Sequence, residues 1–249
     1  MAESWDLFRG DTSNWADRRL YLEIVRRHGE PVLDLGCGTG RILLDFLALG
    51  IDIDGVDNSP EMLALCRAKA AGSGLRPQVY EQTMQSLDLP RRYRTILVPS
   101  SSFQLLLDPA DARAAMGRFV RHLLPGGVLV MPFMPLWREG DPLERAFDLT
   151  AQAVRPSDGA TIRRWSRTWF EPAAQLEHTE DRYELVVDGD VVYTETHLQS
   201  PAVRGYRQDQ ALALYRAAGL VDLQSLSVFT WEPAKPDDWA FTVLGQRPS

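Results

Sequence analysis

Cysteine is nearly missing from this chain: Cys37 and Cys66 are the only two in 249 residues. That is too few for a disulfide framework, and both read as free thiols. Lysine is as scarce, present only at Lys69 and Lys235, and the formal net charge is -7. Nucleic-acid grooves neutralise phosphates with clustered Lys and Arg, so no nucleic-acid partner is expected. The arginine groups Arg91, Arg92, Arg94 and Arg163, Arg164, Arg167 read as solvated faces. No apolar run approaches the roughly 20 residues that span a bilayer, and no basic and apolar leader opens the chain. Neither a membrane partner nor export is expected, which leaves a cytoplasmic protein whose partner is a small molecule. Internal repeats and low-complexity tracts are absent too, and nothing in the sequence sets an oligomeric state.

What is present is a short apolar run, Val32 to Leu35, that enters a glycine-rich turn at Gly36, Gly38 and Gly40. Glycines there let the backbone sit where a Cβ would collide with a ligand. The helical segment from Arg41 to Leu49 would turn its amino end toward the bound group. Asp57 follows Gly40 by 17 residues, about the spacing at which a carboxylate on the next strand reaches ribose hydroxyls. Together these indicate a nucleotide cofactor. A dinucleotide fingerprint wants a third glycine at position 41, where this chain has Arg41, and that side chain would crowd a pyrophosphate. Asp34, two residues before the first glycine, suits a cationic or amine-bearing ligand better than an anionic one.

Short apolar strands and amphipathic helices alternate over the next hundred residues, the pattern of a parallel sheet wound on both faces. Strands are expected near 32–35, 52–56, 77–82, 94–99 and 127–133, with helices near 40–49, 60–71 and 111–123. Residues 1–30 have helical spacing and read as an amino-terminal helical cap. After Pro135 the character changes: Thr161 to Phe170, Leu176 to Val187 and Val191 to Leu198 read as strands, and Asp188-Gly189-Asp190 is a hairpin signal. Parallel winding does not use tight hairpins, so residues 136–205 are expected to form an antiparallel excursion. A helix from Gln208 to Ala218 and strands near 221–230 and 239–246 close the chain.

Asp34-Leu35-Gly36-Cys37-Gly38-Thr39-Gly40 resembles the first motif of the class I S-adenosylmethionine-dependent methyltransferases. Gly55-Val56-Asp57-Asn58-Ser59-Pro60-Glu61-Met62 is similar to the second signature. Leu87-Asp88-Leu89-Pro90 with Arg94 to Val98, and Leu123-Leu124-Pro125-Gly126-Gly127, resemble the fourth-strand and fifth-strand regions. The resemblance covers roughly residues 32–135. It implies a Rossmann-like, seven-stranded, mostly parallel sheet from 31–135 and 206–249, with the excursion covering the substrate as in glycine and amino-sugar N-methyltransferases. It also implies S-adenosylmethionine as cofactor and no metal.

Carried over residue by residue, the resemblance implies that Tyr21 and Arg41 meet the methionine carboxylate and that Asp57, beside Asn58, meets the ribose. Met62 would lie against ribose or adenine, and Thr83 and Met84 would form the adenine pocket. Asp34, Gly36, Cys37, Gly38 and Gly40 would shape the first turn, with Pro99 and Ser100 at the fourth-strand exit. Ser101, Ser102, Gln104 and Trp137 are candidates for positioning the acceptor. Amino-sugar methyltransferases often carry a histidine at the position of Leu105, and leucine cannot take a proton. Either the acceptor arrives deprotonated or another group serves as base, with His197, His178 and Tyr206 as candidates; Gln104 is a further candidate catalytic residue, positioning the acceptor. The expected activity is methyl transfer to an O or N atom of a small molecule by in-line displacement. The same residues would also suit displacement within S-adenosylmethionine itself, or a non-catalytic binding protein; a nicotinamide oxidoreductase fits less well because of Arg41.

Overall fold

The computed structural model describes residues 2–249, and these divide into two units. The larger comprises Thr12–Met134 and Tyr206–Ser249. Its chain order runs α2 (Ala16–His28), β1 (Val32–Leu35), α3 (Arg41–Ala48), β2 (Ile53–Asp57), α4 (Pro60–Gly72), β3 (Gln78–Glu81), β4 (Tyr93–Leu97), α5 (Pro109–His122) and β5 (Leu123–Phe133). After the excursion come α6 (Gln208–Ala217), β10 (Val221–Ser227) and β11 (Phe241–Gln246). Seven strands form one sheet in the order β10-β11-β5-β4-β1-β2-β3. The five strands from β5 to β3 are parallel, and β11 and β10 close the edge antiparallel.

Alternation along the strands explains the winding. Leu33, Leu35, Ile96, Leu129, Met131 and Val243 point to one face, where they pack with Ala115, Met116 and Phe119 of α5 and Ala211 and Tyr215 of α6. Val32, Leu97, Val128, Val130 and Leu244 point to the other, against α2, α3 and α4. Because both faces are buried, the strands are near-continuous apolar runs, as parallel sheets require. Two helix starts follow from capping chemistry. Ser59 Oγ accepts from Met62 N–H ahead of Pro60, and Asp108 accepts from Ala110 N–H ahead of Pro109.

The smaller unit contains α1 (Ala2–Arg9) and Pro135–Gly205. Its sheet has the order β6-β7-β8-β9, all antiparallel, from β6 (Glu144–Val154), β7 (Thr161–Glu171), β8 (Leu176–Val187) and β9 (Asp190–Arg204). Asp188 and Gly189 both have positive φ, 53° and 92°, the mirror-image turn that suits a two-residue hairpin. The expected cap at 1–30 is divided: α1 belongs with this sheet, Phe8 stacking on Tyr183 at 6.4 Å, while α2 belongs with the larger unit. Strand β6 has no counterpart in the sequence reading. It is an edge strand, mostly exposed, with two register shifts against β7, so its alternation is blurred.

Gly245 shows how tightly the larger core is filled. A Cβ built there would lie 2.6 Å from Tyr215 Cδ1 and 2.8 Å from Leu223 Cδ2. The Tyr215 ring is fully buried and its hydroxyl donates to Val243 O at 3.0 Å, so it cannot swing aside. Gly245→Ala is therefore expected to cost about 1–3 kcal/mol through overpacking, read as a lower denaturation midpoint with unchanged slope.

Candidate functional site

The carboxyl ends of β1, β2, β3 and β4 lie along one edge of the larger sheet, and the strand order reverses between β1 and β4. Ligands of doubly wound sheets bind outside that edge at the reversal. The turn after β1 is stacked beneath β2: the N–H groups of Gly36 and Cys37 both donate to Val56 O, at 2.8 and 3.0 Å. Gly36, Gly38 and Gly40 all have positive φ. Their Cβ positions differ in meaning. At Gly40 a Cβ would strike Cys66 Sγ at 2.7 Å and Leu44 Cγ at 2.8 Å, so this glycine serves packing. At Gly36 it would meet Ser102 Cβ at 2.9 Å, with Met84 Cε at 3.5 Å, so the exits of β1, β3 and β4 converge there. At Gly38 nothing lies within 4 Å. The turn thus presents open space over one glycine, held by close contacts at the other two.

Asp57 ties this turn to the next one. Its Oδ2 accepts from Gly38 N–H at 2.8 Å and its Oδ1 from Ser59 N–H at 2.9 Å. Each carboxylate oxygen retains capacity for a further donor. Lys69 Nζ of α4 adds a contact to Thr39 Oγ1 at 3.3 Å. Asn58 is exposed and Met62 half-buried beside it. Cys37 is buried; burial first, then Asp34, pushes its thiol above the ordinary range, so it packs and does not ionise. Cys66 is pushed up to about 11 for the same first reason.

A second group sits where α2 and α3 begin. Tyr21 is wholly buried and its hydroxyl has no hydrogen-bond partner among the described residues. Burial raises its pKa well above the ordinary value, with Asp17 adding to the shift and Arg41 opposing it. Asp34 is 1% exposed. Its carboxylate accepts from Leu43 N–H, yet Oδ1 has no partner among the described residues. Burial, opposed by Arg41, pushes its pKa up to about 7. Arg41 is held by Asp17, Nη2 to Oδ2 at 2.5 Å and Nη1 to Oδ1 at 3.1 Å, with the Trp15 ring 5.0 Å away. Sequence reasoning missed Asp17, since nothing local in a helix start signals a pairing across 24 residues.

At the third-strand exit, Thr83 Oγ1 shares a hydrogen bond with Ser86 Oγ at 2.7 Å, and Met84 is half-buried. After β4, Pro99 is buried, while Ser100 and Ser101 both take positive φ, 57° and 56°. Ser102 Oγ donates to Pro99 O at 2.7 Å. Gln104 is buried and clamps the end of β5: its Nε2 donates to Met134 O at 2.9 Å and its Oε1 accepts from Met134 N–H at 2.8 Å. That pairing uses the amide as a strut. Tyr206 packs between Phe103 and Phe133 with centroids at 6.0 and 5.5 Å. Trp137 and His197 belong to the smaller unit. Trp137 Nε1 donates to Asp141 O at 3.1 Å, and His197 Nε2 lies 3.0 Å from Glu195 Oε1 beside the Tyr183 ring. His178 is buried between Ser200, which bonds its Nδ1 at 2.8 Å, and Glu171, stacked on Trp169.

Residues 32–127 match the methyltransferase domain model. A Streptomyces fradiae protein, dTDP-3-amino-3,6-dideoxy-alpha-D-glucopyranose N,N-dimethyltransferase, is 30% identical over 200 residues, 79% of this chain and 73% of its own. The chain belongs to the S-adenosylmethionine-dependent methyltransferases. The sugar N-methyltransferase KedS8 from Streptoalloteichus matches with a TM-score of 0.75 and 26% identity over 98% of this chain and 93% of that one. A Clostridium acetobutylicum S-adenosylmethionine-dependent methyltransferase shares the fold, with a TM-score of 0.79 and 19% identity, over 100% of this chain and 98% of that one. The methyltransferase uses S-adenosylmethionine, and its residues fit that donor: open space over Gly38, an unsatisfied buried hydroxyl at Tyr21 and an unsatisfied buried carboxylate oxygen at Asp34. No helix among the described residues is long and apolar enough to cross a membrane.

The raised pKa of Asp34 carries a sign. The folded form binds its proton more tightly than the unfolded chain does, so this contribution to stability is full below about pH 4 and lost as pH rises through about 7. Asp34→Asn keeps an acceptor for Leu43 N–H and removes the buried charge. Without ligand it should be more stable than wild type at pH 8, with the gain shrinking by pH 5, as measured by chemical denaturation at both values.

Proposed function

We propose that this methyltransferase acts on the amine nitrogen of a small amino-sugar-like molecule. The observation that carries this reading is the similarity over most of both chains to an amino-sugar N,N-dimethyltransferase. The β4 exit agrees with it. From Pro99 to Leu107 the segment contains no titratable side chain, and Leu105 is 62% exposed. An amine that arrives as the free base brings its own lone pair and needs no protein base there, whereas a sugar hydroxyl would.

S-adenosylmethionine supplies a methyl group on a sulfonium, already activated for in-line displacement. The chain's task is to hold the donor in one pose and to exclude water. In this reading Asp57 accepts from the ribose hydroxyls with the lone pairs left over from Gly38 and Ser59. Tyr21 and Arg41 donate to the methionine carboxylate, and Asp34 accepts from its ammonium group. Thr83 and Met84 border the adenine, Met84 with a polarizable face. Gln104 holds the β5 exit in place, and Ser102 holds the β4 exit against Gly36. Gln104 thus acts as a backbone strut, and Tyr206 packs with Phe103 and Phe133.

The test is methyl transfer to a panel of nucleoside-diphosphate sugars differing only in an amine or hydroxyl at one carbon, read by mass spectrometry. Amino sugars should be N-methylated with release of S-adenosylhomocysteine, and kcat/KM should rise with pH along the acceptor's own ammonium titration. Transfer to hydroxyl sugars alone would contradict the reading. Release of methylthioadenosine without an acceptor would point instead to displacement within the donor. The Asp34 assignment adds a second expectation: donor affinity should strengthen from pH 6 to 8, since the ammonium requires the ionised carboxylate, and Asp34→Asn should lose that slope along with affinity.

A further inference from the structure

Two ion pairs join the start of α2 to α3 in reciprocal fashion. Asp17 of α2 takes Arg41 of α3, and the neighbouring Arg18 takes Asp45 of α3, Nε to Oδ2 at 2.6 Å and Nη2 to Oδ1 at 2.9 Å. The side chains differ in setting. Asp17 and Arg41 are 5% and 11% exposed, whereas Arg18 and Asp45 are 26% and 32% exposed. A solvated pair suffices to hold two helices in register at small net gain. A buried pair is a costly way to do the same thing, because desolvation offsets the attraction. The inner pair therefore calls for a second role.

Its neighbours supply one. Asp34 accepts from the N–H of Leu43, two residues along α3 from Arg41, and its Oδ1 is buried without a partner among the described residues. A guanidinium left to itself beside such a carboxylate would pair with it. Asp17 opposes this by occupying both Nη groups, and Asp17 is itself fixed, its Oδ1 accepting from Arg18 N–H at 2.7 Å. The fork geometry leaves the Nε–H and the outer hydrogen of each Nη for another acceptor. Two buried polar atoms, the Tyr21 hydroxyl and Asp34 Oδ1, are thus left without a partner among the described residues, beside a guanidinium that Asp17 clamps.

We infer that Asp17 is a positioning residue for the donor's amino-acid end, acting through Arg41 by holding its guanidinium off Asp34. The inference rests on the assignment of Tyr21, Arg41 and Asp34 to that end of the donor. Removing Asp17 lets Arg41 collapse onto Asp34, which cancels a donor and an acceptor together. Selectivity for ligands carrying the amino-acid group then falls, while the nucleoside end is unaffected.

The test compares S-adenosylhomocysteine with 5′-methylthioadenosine, which lacks the amino-acid group, by calorimetry on the whole protein. Asp17→Asn should weaken S-adenosylhomocysteine about tenfold or more, as expected for charge-assisted contacts, and leave 5′-methylthioadenosine within about twofold. Asp45→Asn, which opens only the outer pair, should change neither. The pH dependence of S-adenosylhomocysteine binding between 6 and 8 should flatten in Asp17→Asn, because Arg41 then holds Asp34 ionised; Asp17, Asp57, Tyr21, Cys37 and Cys66 are the other titratable groups around it. If Asp17→Asn does not fold, Asp17→Glu displaces the guanidinium with the charge retained and should show the same selective loss. Unchanged or tighter S-adenosylhomocysteine binding in a folded Asp17 variant would overturn the inference. Arg41→Ala separates the two layers: if it too spares the difference between the ligands, the assignment of the amino-acid end fails; if it abolishes that difference and Asp17→Asn does not, only the role of Asp17 fails.

Discussion

One carboxylate, Asp57, holds the glycine turn after β1 and the start of α4 in a single arrangement. It does so by accepting a backbone N–H from each side. Backbone donors are a demanding partner for a side chain, since neither can be moved without moving a strand exit. The turn can therefore stay open above Gly38 while remaining rigid, packed at Gly40 against Cys66 and Leu44 and at Gly36 against Ser102. The parallel order of β1 and β2 brings those two exits side by side, which is how the sheet supports the site.

Beside that turn, two buried polar atoms are left without a partner among the described residues. Unpaired buried polar atoms cost free energy, and native proteins keep few of them. Tyr21 Oη and Asp34 Oδ1 lie in the same neighbourhood, beside an arginine whose orientation is set by Asp17. In the proposed function that cost is carried in the free protein and recovered when the donor binds. The same logic appears in the raised pKa of Asp34, a carboxylate whose charge is disfavoured by burial and which, in the proposed function, meets the donor's ammonium group.

Much of this was legible in the sequence, for reasons that differ by element. Val32–Leu35 and Leu176–Val187 were readable to the residue because apolar runs and alternation bounded by turn residues leave little freedom. The seven-stranded sheet, the hairpin at Asp188-Gly189 and the glycine turn followed from the same kind of signal. Strand β6 was not readable, because an exposed edge strand with bulges has no inner face to pattern. Nor could the sequence divide residues 1–30, since the helical spacing of α1 and α2 says nothing about which sheet each packs on. In the site, Gln104 reads as an acceptor contact because glutamine is polar; the fold adds that both ends of its amide bond Met134, which no local signal could show. Asp17 was invisible because its meaning depends on a partner in another helix.

Asp57 ties two turns together and, in the proposed function, also accepts from the donor's ribose. Calorimetric titration of wild type and Asp57→Ala with S-adenosylhomocysteine tests this most directly, with circular dichroism to confirm that the variant folds. Wild type should bind, and the folded variant should bind about 100-fold more weakly, as expected when charge-assisted hydrogen bonds are lost. Equal affinity in the two proteins would contradict the account.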